Sequence, residues 1–309
     1  MKQQKTTYDF APRRELGKTG FKATLLGIGD LADRAVSLED CVTTVRRAMD
    51  AGINVIDTAP GYENGYSEEI VGKALAGRRD RMFVIDKIDH LDRPVAEQVD
   101  ASLRRLSMET VDLFVFHAVS TENGWNRVEG NLMAELHGCR RAGKTRFCGI
   151  SGHHPAILRR AIESGLCDVV LFPVGPFCDP GFIEDTLPLA AARGVGTVCF
   201  KTFGAGKLLG DTPGYNKPLQ NRPRGKISSG GTGDSSPELP CLTVAECVHY
   251  TLTCDPDVAL LGLSFPNEQD EAFAAAASFV PLEKPAMADI RRQAVQAVAE
   301  KGPCWWNPG

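Results

Sequence analysis

Apolar and polar residues along this chain follow two periods that take turns. Short apolar runs, the length of buried strands, are followed by stretches whose apolar residues recur every three to four positions, as on one helix face. Arg14-Glu15-Leu16-Gly17-Lys18-Thr19-Gly20-Phe21-Lys22 comes first and reads as a hairpin, with Gly17 and Gly20 bounding its turn. Leu25-Leu26-Gly27-Ile28-Gly29 reads as a strand. Leu38 to Ala51 reads as a helix with Val42, Val45 and Met49 on one face, stopped by Gly52. The run Ile53-Asn54-Val55-Ile56 is a second strand that stops at Asp57. A loop with Tyr62 follows, and a helix opens at Ser67 with Glu68 and Glu69 in its first turn, where acidic residues are favoured.

The alternation continues to the end. Strands are expected at 81–85, 111–116, 145–150, 167–172, 195–200 and 258–261. Helices are expected at 94–106, 132–142, 155–164, 182–193, 243–254, 269–279 and 286–300. Regular βα alternation predicts a parallel sheet. Eight such units in 309 residues favour an α/β fold of the (β/α)8 TIM-barrel type, with an N-terminal β-hairpin and an extra C-terminal helix. One domain is expected over residues 1–309. An open doubly wound sheet is disfavoured, because Leu26-Gly27-Ile28-Gly29-Asp30 lacks the third glycine of a GxGxxG turn. Residues 210–240, rich in Gly, Pro, Ser and Asn, break the rhythm. They read either as a surface loop or as one that closes over a ligand.

Composition narrows the class. With 43% hydrophobic and 24% charged residues the chain is an ordinary globular one. A net charge of −4 argues against a general nucleic-acid surface. No apolar run approaches the ~20 residues of a membrane span, and the first residues lack the apolar core of a secretory signal, so a cytoplasmic protein is expected. The ten cysteines form no CxxC pair or metal-ligand cluster, and they read as reduced, buried thiols without a metal.

Candidate chemistry lies at the C-terminal ends of successive strands, which converge on one mouth in a barrel. Asp57 ends the second strand, with Tyr62 in its loop; Lys87, His117 and Ser151 end the next three. A buried Asp beside a Lys would pair with it. A Lys ammonium near a phenol favours the phenolate, which suits Tyr62 to give or take a proton near neutral pH. A nearby His can hydrogen-bond the same substrate oxygen. Together these make a site for interconverting C=O and CH–OH.

Four separated motifs carry a resemblance. Ile56-Asp57-Thr58-Ala59-Pro60-Gly61-Tyr62, followed by Ser67-Glu68-Glu69 and Gly72-Lys73-Ala74-Leu75, resembles the signature of the aldo-keto reductases. Leu16-Gly17-Lys18-Thr19-Gly20 resembles that family's hairpin, Asp112-Leu113-Phe114-Val115-Phe116-His117 its histidine segment, and Gly149-Ile150-Ser151 the start of its amide-binding loop. The resemblance implies a (β/α)8 barrel and hydride transfer between NADPH and an aldehyde or ketone. It makes Tyr62 the general acid, Lys87 and Asp57 its tuning pair, and His117 the group that orients the carbonyl.

The resemblance also implies cofactor positions, with departures. Ser151 matches the amide-binding serine, but Gly152 stands where an asparagine is usual, and Leu171 or Phe172 where a glutamine is usual; His153 is a substitute donor. Phe200 matches an aromatic that stacks on the nicotinamide. Lys201-Thr202-Phe203-Gly204-Ala205-Gly206-Lys207-Leu208 resembles a pyrophosphate-binding turn. The adenosine end falls at Ser264, Asn267 and Gln269, in a stretch with no base and with Glu268, so NADP is the family's default and NAD the alternative. An iron–sulfur cluster is excluded, since only Cys304 lies in the C-terminal tail. The terminal Trp305 and Trp306 either pack on the barrel or wall the pocket. The competing reading is a nicotinamide-nucleotide-binding regulatory subunit with little turnover, against which an intact His117 argues.

Overall fold

The computed structural model describes residues 8–29, 34, 36–209, 240–263, 266–299, 304, 306 and 307, with only the backbone of Asn267. Two short antiparallel strands, β1 (Arg14–Glu15) and β2 (Lys22–Ala23), form the hairpin. The alternating part runs β3 (Leu26–Gly29), α1 (Leu38–Asp50), β4 (Val55–Asp57), α2 (Tyr66–Leu75), β5 (Phe83–Ile88), α3 (Val95–Leu106) and β6 (Val111–Phe116). It continues with α4 (Glu122–Arg127), α5 (Met133–Arg141), β7 (Thr145–Ser151), α6 (Pro155–Glu163), β8 (Val169–Pro173) and α7 (Leu187–Arg193). The chain then forms β9 (Gly196–Phe200), α8 (Val244–Thr253), β10 (Val258–Leu261), α9 (Pro266–Ala277) and α10 (Lys284–Val298). Strands β3 to β10 pair in parallel, each with its neighbour in sequence, and β10 pairs back onto β3, which closes the barrel. This is the (β/α)8 TIM barrel with its N-terminal hairpin and extra C-terminal helix.

The period of two along each strand divides the core. Alternate residues such as Val55, Phe83, Ile85, Leu113 and Val115 fill the barrel interior. Their neighbours Ile56, Val84 and Phe114 face the helices. Each such side chain contributes about 1.5–3 kcal/mol when fully buried. Leu16 and Phe21 of the hairpin join the interior cluster, and the Phe21 ring lies 5.1 Å from that of Phe83, so the hairpin plugs the lower end. At the upper end β3 contributes no side chain: a Cβ on Gly29 would lie 3.2 Å from Asp57 Oδ2. That glycine leaves room for the carboxylate.

Two expectations are corrected. Strand β5 does not end before Asp86 and Lys87 but runs through both. Two adjacent charges looked like a strand end, yet Lys87 faces the interior with partners, and Asp86 is buried with its Oδ1 accepting the Lys87 N–H at 2.7 Å. Burial, with Glu68 adding repulsion, pushes the Asp86 carboxyl well above its usual range. The helix expected at 132–142 also begins earlier: α4 starts at Glu122 and passes through a wider turn, Val128–Leu132, into α5. Thr121 caps it by accepting the Gly124 N–H at 3.1 Å. Trp125, Val128, Leu132 and Leu136 form its buried stripe, which weak helix formers such as Asn123 and Gly124 obscure. The segment 210–239, Ser264 and Trp305 lie outside the described residues.

All ten cysteines are free thiols, with only Cys241, Cys254 and Cys304 partly exposed. Burial pushes the Cys148 thiol up to about 12 and that of Cys178 up to about 11, so these are packing residues. Among the described residues no helix is long and apolar enough to cross a membrane.

Candidate active site

The upper mouth of the barrel gathers Asp57, Lys87, Tyr62 and His117 from β4, β5, the β4–α2 loop and the end of β6. Lys87 Nζ donates to Asp57 Oδ2 at 2.6 Å and to Thr58 O at 2.8 Å. Both side chains of this ion pair are 2–3% exposed. Burial alone would push the Lys87 ammonium down, but the charges of Asp57 and of Tyr62 outweigh it and hold Lys87 above its ordinary value. A hydrogen bond joins Lys87 to Tyr62, and Nζ lies 4.4 Å from the phenol ring centroid. The His117 ring meets the Tyr62 ring edge-on at 5.8 Å. The loop that carries Tyr62 reaches α2 through Glu63, Asn64 and Gly65, all with left-handed φ (50°, 52° and 83°). Three such residues in a row turn the chain sharply and leave Tyr62 over Lys87.

The facing wall comes from β7, β8 and β9. Ser151 is buried at the end of β7, and its Oγ accepts the Ala118 N–H at 2.9 Å, which leaves the hydroxyl hydrogen to donate elsewhere. The Gly152 N–H donates to Leu171 O at 2.9 Å, and a Cβ on Gly152 would lie 2.7 Å from Val119 O. An asparagine does not fit there without a backbone shift. Leu171 points into the barrel interior and Phe172 outward. The His153 ring lies 5.4 Å from that of Phe200, and the His153 N–H donates to Ser120 Oγ at 2.9 Å. Burial, with the charges of Lys201 and His117, pushes the His153 imidazole down to about 4, so it is neutral near pH 7.

After Phe200 the chain turns through Lys201, Gly204, Ala205 and Gly206, whose φ values are 70°, 52°, 52° and 87°. Inside this turn the Gly204 N–H donates to Lys201 O and the Gly206 N–H to Phe203 O. Thr202 Oγ1 is buried with no hydrogen-bond partner among the described residues. Trp306 packs on this turn: it is fully buried, and its Nε1–H donates to Phe177 O at 3.2 Å. The Lys201 and Lys207 ammonium groups lie 5.8 and 5.7 Å from its ring.

At the other end of the wall the Gln269 amide donates to Thr44 O at 2.9 Å and accepts from Arg47, so it fastens α9 to α1. Arg47 also donates to Pro266 O at 2.7 Å and pairs with Asp270. A guanidinium therefore reaches this turn from α1, far from the local stretch in sequence. Asp89 was missed as well. It stands two residues after Lys87 and contacts His117, and the repeated acidic residues of Asp86-Lys87-Ile88-Asp89 were its only signal.

A closed (β/α)8 barrel with this Asp–Lys–Tyr–His mouth defines a class of oxidoreductase scaffold, and comparison places it. The profile of the Aldo/keto reductase family matches residues 25–254, and the chain belongs to that family. It is 30% identical to L-galactose dehydrogenase of Arabidopsis thaliana over 217 residues, 65% of this chain and 68% of that one. It is 35% identical to aldo-keto reductase YhdN of Bacillus subtilis over 162 residues, 44% of this chain and 45% of the relative. Its fold matches the crystal structure of an aldo-keto reductase from Klebsiella pneumoniae in complex with NADPH, with a TM-score of 0.66, 20% identity and coverage of 92% and 94% of the two chains.

Proposed function

We propose that this protein is an NADP(H)-dependent oxidoreductase that interconverts an aldehyde or ketone and the corresponding alcohol, with Tyr62 as the general acid and base. The observation that carries the reading is the buried Asp57–Lys87 pair beneath the Tyr62 ring, with His117 at the ring's edge. An ammonium at hydrogen-bond distance stabilises a phenolate more than a phenol, so Tyr62 Oη gives up a proton to a substrate oxygen and regains it. Asp57 keeps Lys87 charged and aimed. His117 hydrogen-bonds the same oxygen and sets its direction. When bound, the nicotinamide supplies or takes up the hydride.

The facing wall has the donors such a cofactor needs. Ser151 and His153 are assigned to the carboxamide, with Gly152 leaving the approach clear, and Phe200 to the ring face. The Thr202 hydroxyl, buried and without a partner among the described residues, supports a polar ligand beside it. Lys201, Phe203, Gly204 and Gly206 are assigned to the phosphates. Ser264, Asn267 and Gln269 are assigned to the adenosine end, and Gln269 also fastens α9 to α1. NADP is chosen over NAD on the Klebsiella relative's complex with NADPH. The free thiols support a reducing, cytoplasmic setting.

The test is oxidation of NADPH, and of NADH, by the purified protein against simple aldehydes and ketones. L-galactose with the oxidised nucleotides is added because of the Arabidopsis relative's name. Tyr62→Phe is run in parallel and is expected to lose ~10²–10⁴-fold in kcat. Full activity in Tyr62→Phe would overturn the role of the phenol. Nucleotide binding without turnover of any substrate would overturn the enzymatic reading in favour of a regulatory subunit.

A further inference from the structure

Asp89 lies just beyond the end of β5 and is none of the four residues assigned above. Its carboxylate makes two contacts that matter for the mouth. Oδ1 is 2.6 Å from His117 Nδ1. The Gly61 backbone N–H also hydrogen-bonds to it, and a Cβ on Gly61 would lie 2.7 Å from Oδ2. One carboxylate thus holds both the His117 ring and the residue next to Tyr62. Burial would push the Asp89 carboxyl up, but the hydrogen bond and charge of His117, the Gly61 N–H and Lys87 outweigh it and hold the group below its ordinary value. An ionised carboxylate only accepts hydrogen bonds. At 2.6 Å from such an acceptor, Nδ1 must carry a hydrogen. A neutral imidazole has a single N–H, so Nε2, on the opposite edge of the ring, is then a bare acceptor.

We propose that Asp89 is a positioning residue that locks His117 in its Nδ1–H tautomer, so that the neutral site receives an alcohol hydroxyl at Nε2 and receives a carbonyl oxygen only as the imidazolium. The assignment of the oxygen's partner rests on the carbonyl–alcohol reading above; the tautomer does not. Protonation of Nε2 therefore selects which side of the reaction binds. Among the described residues, Asp89 after β5 and Tyr62 of the β4–α2 loop contact the His117 ring, Lys87 within β5 acts on Asp89, and His153 after β7 feels the His117 charge. His153 is neutral near pH 7, and Asp89 is the carboxylate in contact with the ring. Removing that charge disfavours the imidazolium.

The first experiment uses the full-length ¹⁵N-labelled protein without nucleotide and follows the His117 ring by long-range ¹H–¹⁵N correlation across pH. The expected neutral form carries its hydrogen on Nδ1, with Nε2 bare. In Asp89→Asn, which loses the acceptor-only carboxylate, the hydrogen should redistribute toward Nε2, and Asp89→Glu should restore the Nδ1–H form. In the loaded enzyme at neutral pH, Asp89→Asn should raise KM for the carbonyl more than KM for the alcohol. An Nε2–H tautomer in the wild type, or an unchanged tautomer in Asp89→Asn, would overturn the proposal. If Asp89→Asn fails to fold, the wild-type tautomer still decides. An Nδ1–H tautomer that is lost in Asp89→Asn, with no turnover of any substrate, would sink the carbonyl–alcohol reading and leave the Asp89–His117 assignment supported.

Discussion

On the β4–β6 side of the mouth, side chains hold one another: Asp57 holds Lys87, Lys87 holds Tyr62, and Asp89 holds His117. On the β7–β9 side, the backbone does most of the holding. The Gly152 N–H is spent on Leu171 O, and the turn after Phe200 bonds largely to itself. The difference teaches where each wall is vulnerable. Buried charges fail when a partner is removed, because the survivor is left desolvated. Backbone turns fail when a side chain is added where none fits.

The largest expected effect sharpens that contrast. Lys87→Met takes the ammonium away from the buried Asp57 carboxylate, and should cost ~3–5 kcal/mol in denaturant unfolding. The double variant Lys87→Met with Asp57→Asn should recover part of that loss. A single-variant loss indistinguishable from zero would break the contrast, since the pair would then be no more than a surface contact.

Next in size is a pH effect on the facing wall. His153 has its imidazole pushed down to about 4 by burial, then by Lys201 and His117. The unfolded chain, with an imidazole near ~6.5, takes up the proton first as pH falls. Stability should therefore be flat above about pH 6.5, fall between there and about pH 4, and level off below, with a total loss of ~3 kcal/mol. Thermal melts across this range would show it, and His153→Gln should flatten that portion. A wild-type profile without the decline would mean that the imidazole is not desolvated.

The smallest effect probes the backbone directly. Gly152→Ala places a Cβ 2.7 Å from Val119 O. It should cost ~1–3 kcal/mol as an overpacked contact and weaken nucleotide binding, while Tyr62 and Lys87 stay in place. Unchanged stability and nucleotide affinity would show that this wall yields more readily than its hydrogen bonds suggest.

Much of this was legible in the sequence. The two periods of apolar residues located each strand of the barrel and the helix behind it, because a strand buried on both faces and an amphipathic helix leave different spacings. Asp57, Lys87 and His117 were readable as strand-end residues, and the structure brings them together under Tyr62. What the pattern misjudged had local causes. The charges at Asp86 and Lys87 mimicked the end of β5, and Asn123 and Gly124 masked the start of α4.

The sequence by itself determined the alternation, the closed parallel barrel it implies and the chemical types at the mouth, since these depend on spacing along the chain. Only the tertiary structure decided that Asp89 reaches His117, that Arg47 reaches the α9 turn, that a side chain on Gly152 would strike Val119 O, and that Trp306 covers the turn after β9. Each of these joins residues from different βα units. Closure of the barrel sets their separation, and no local period along the chain encodes it.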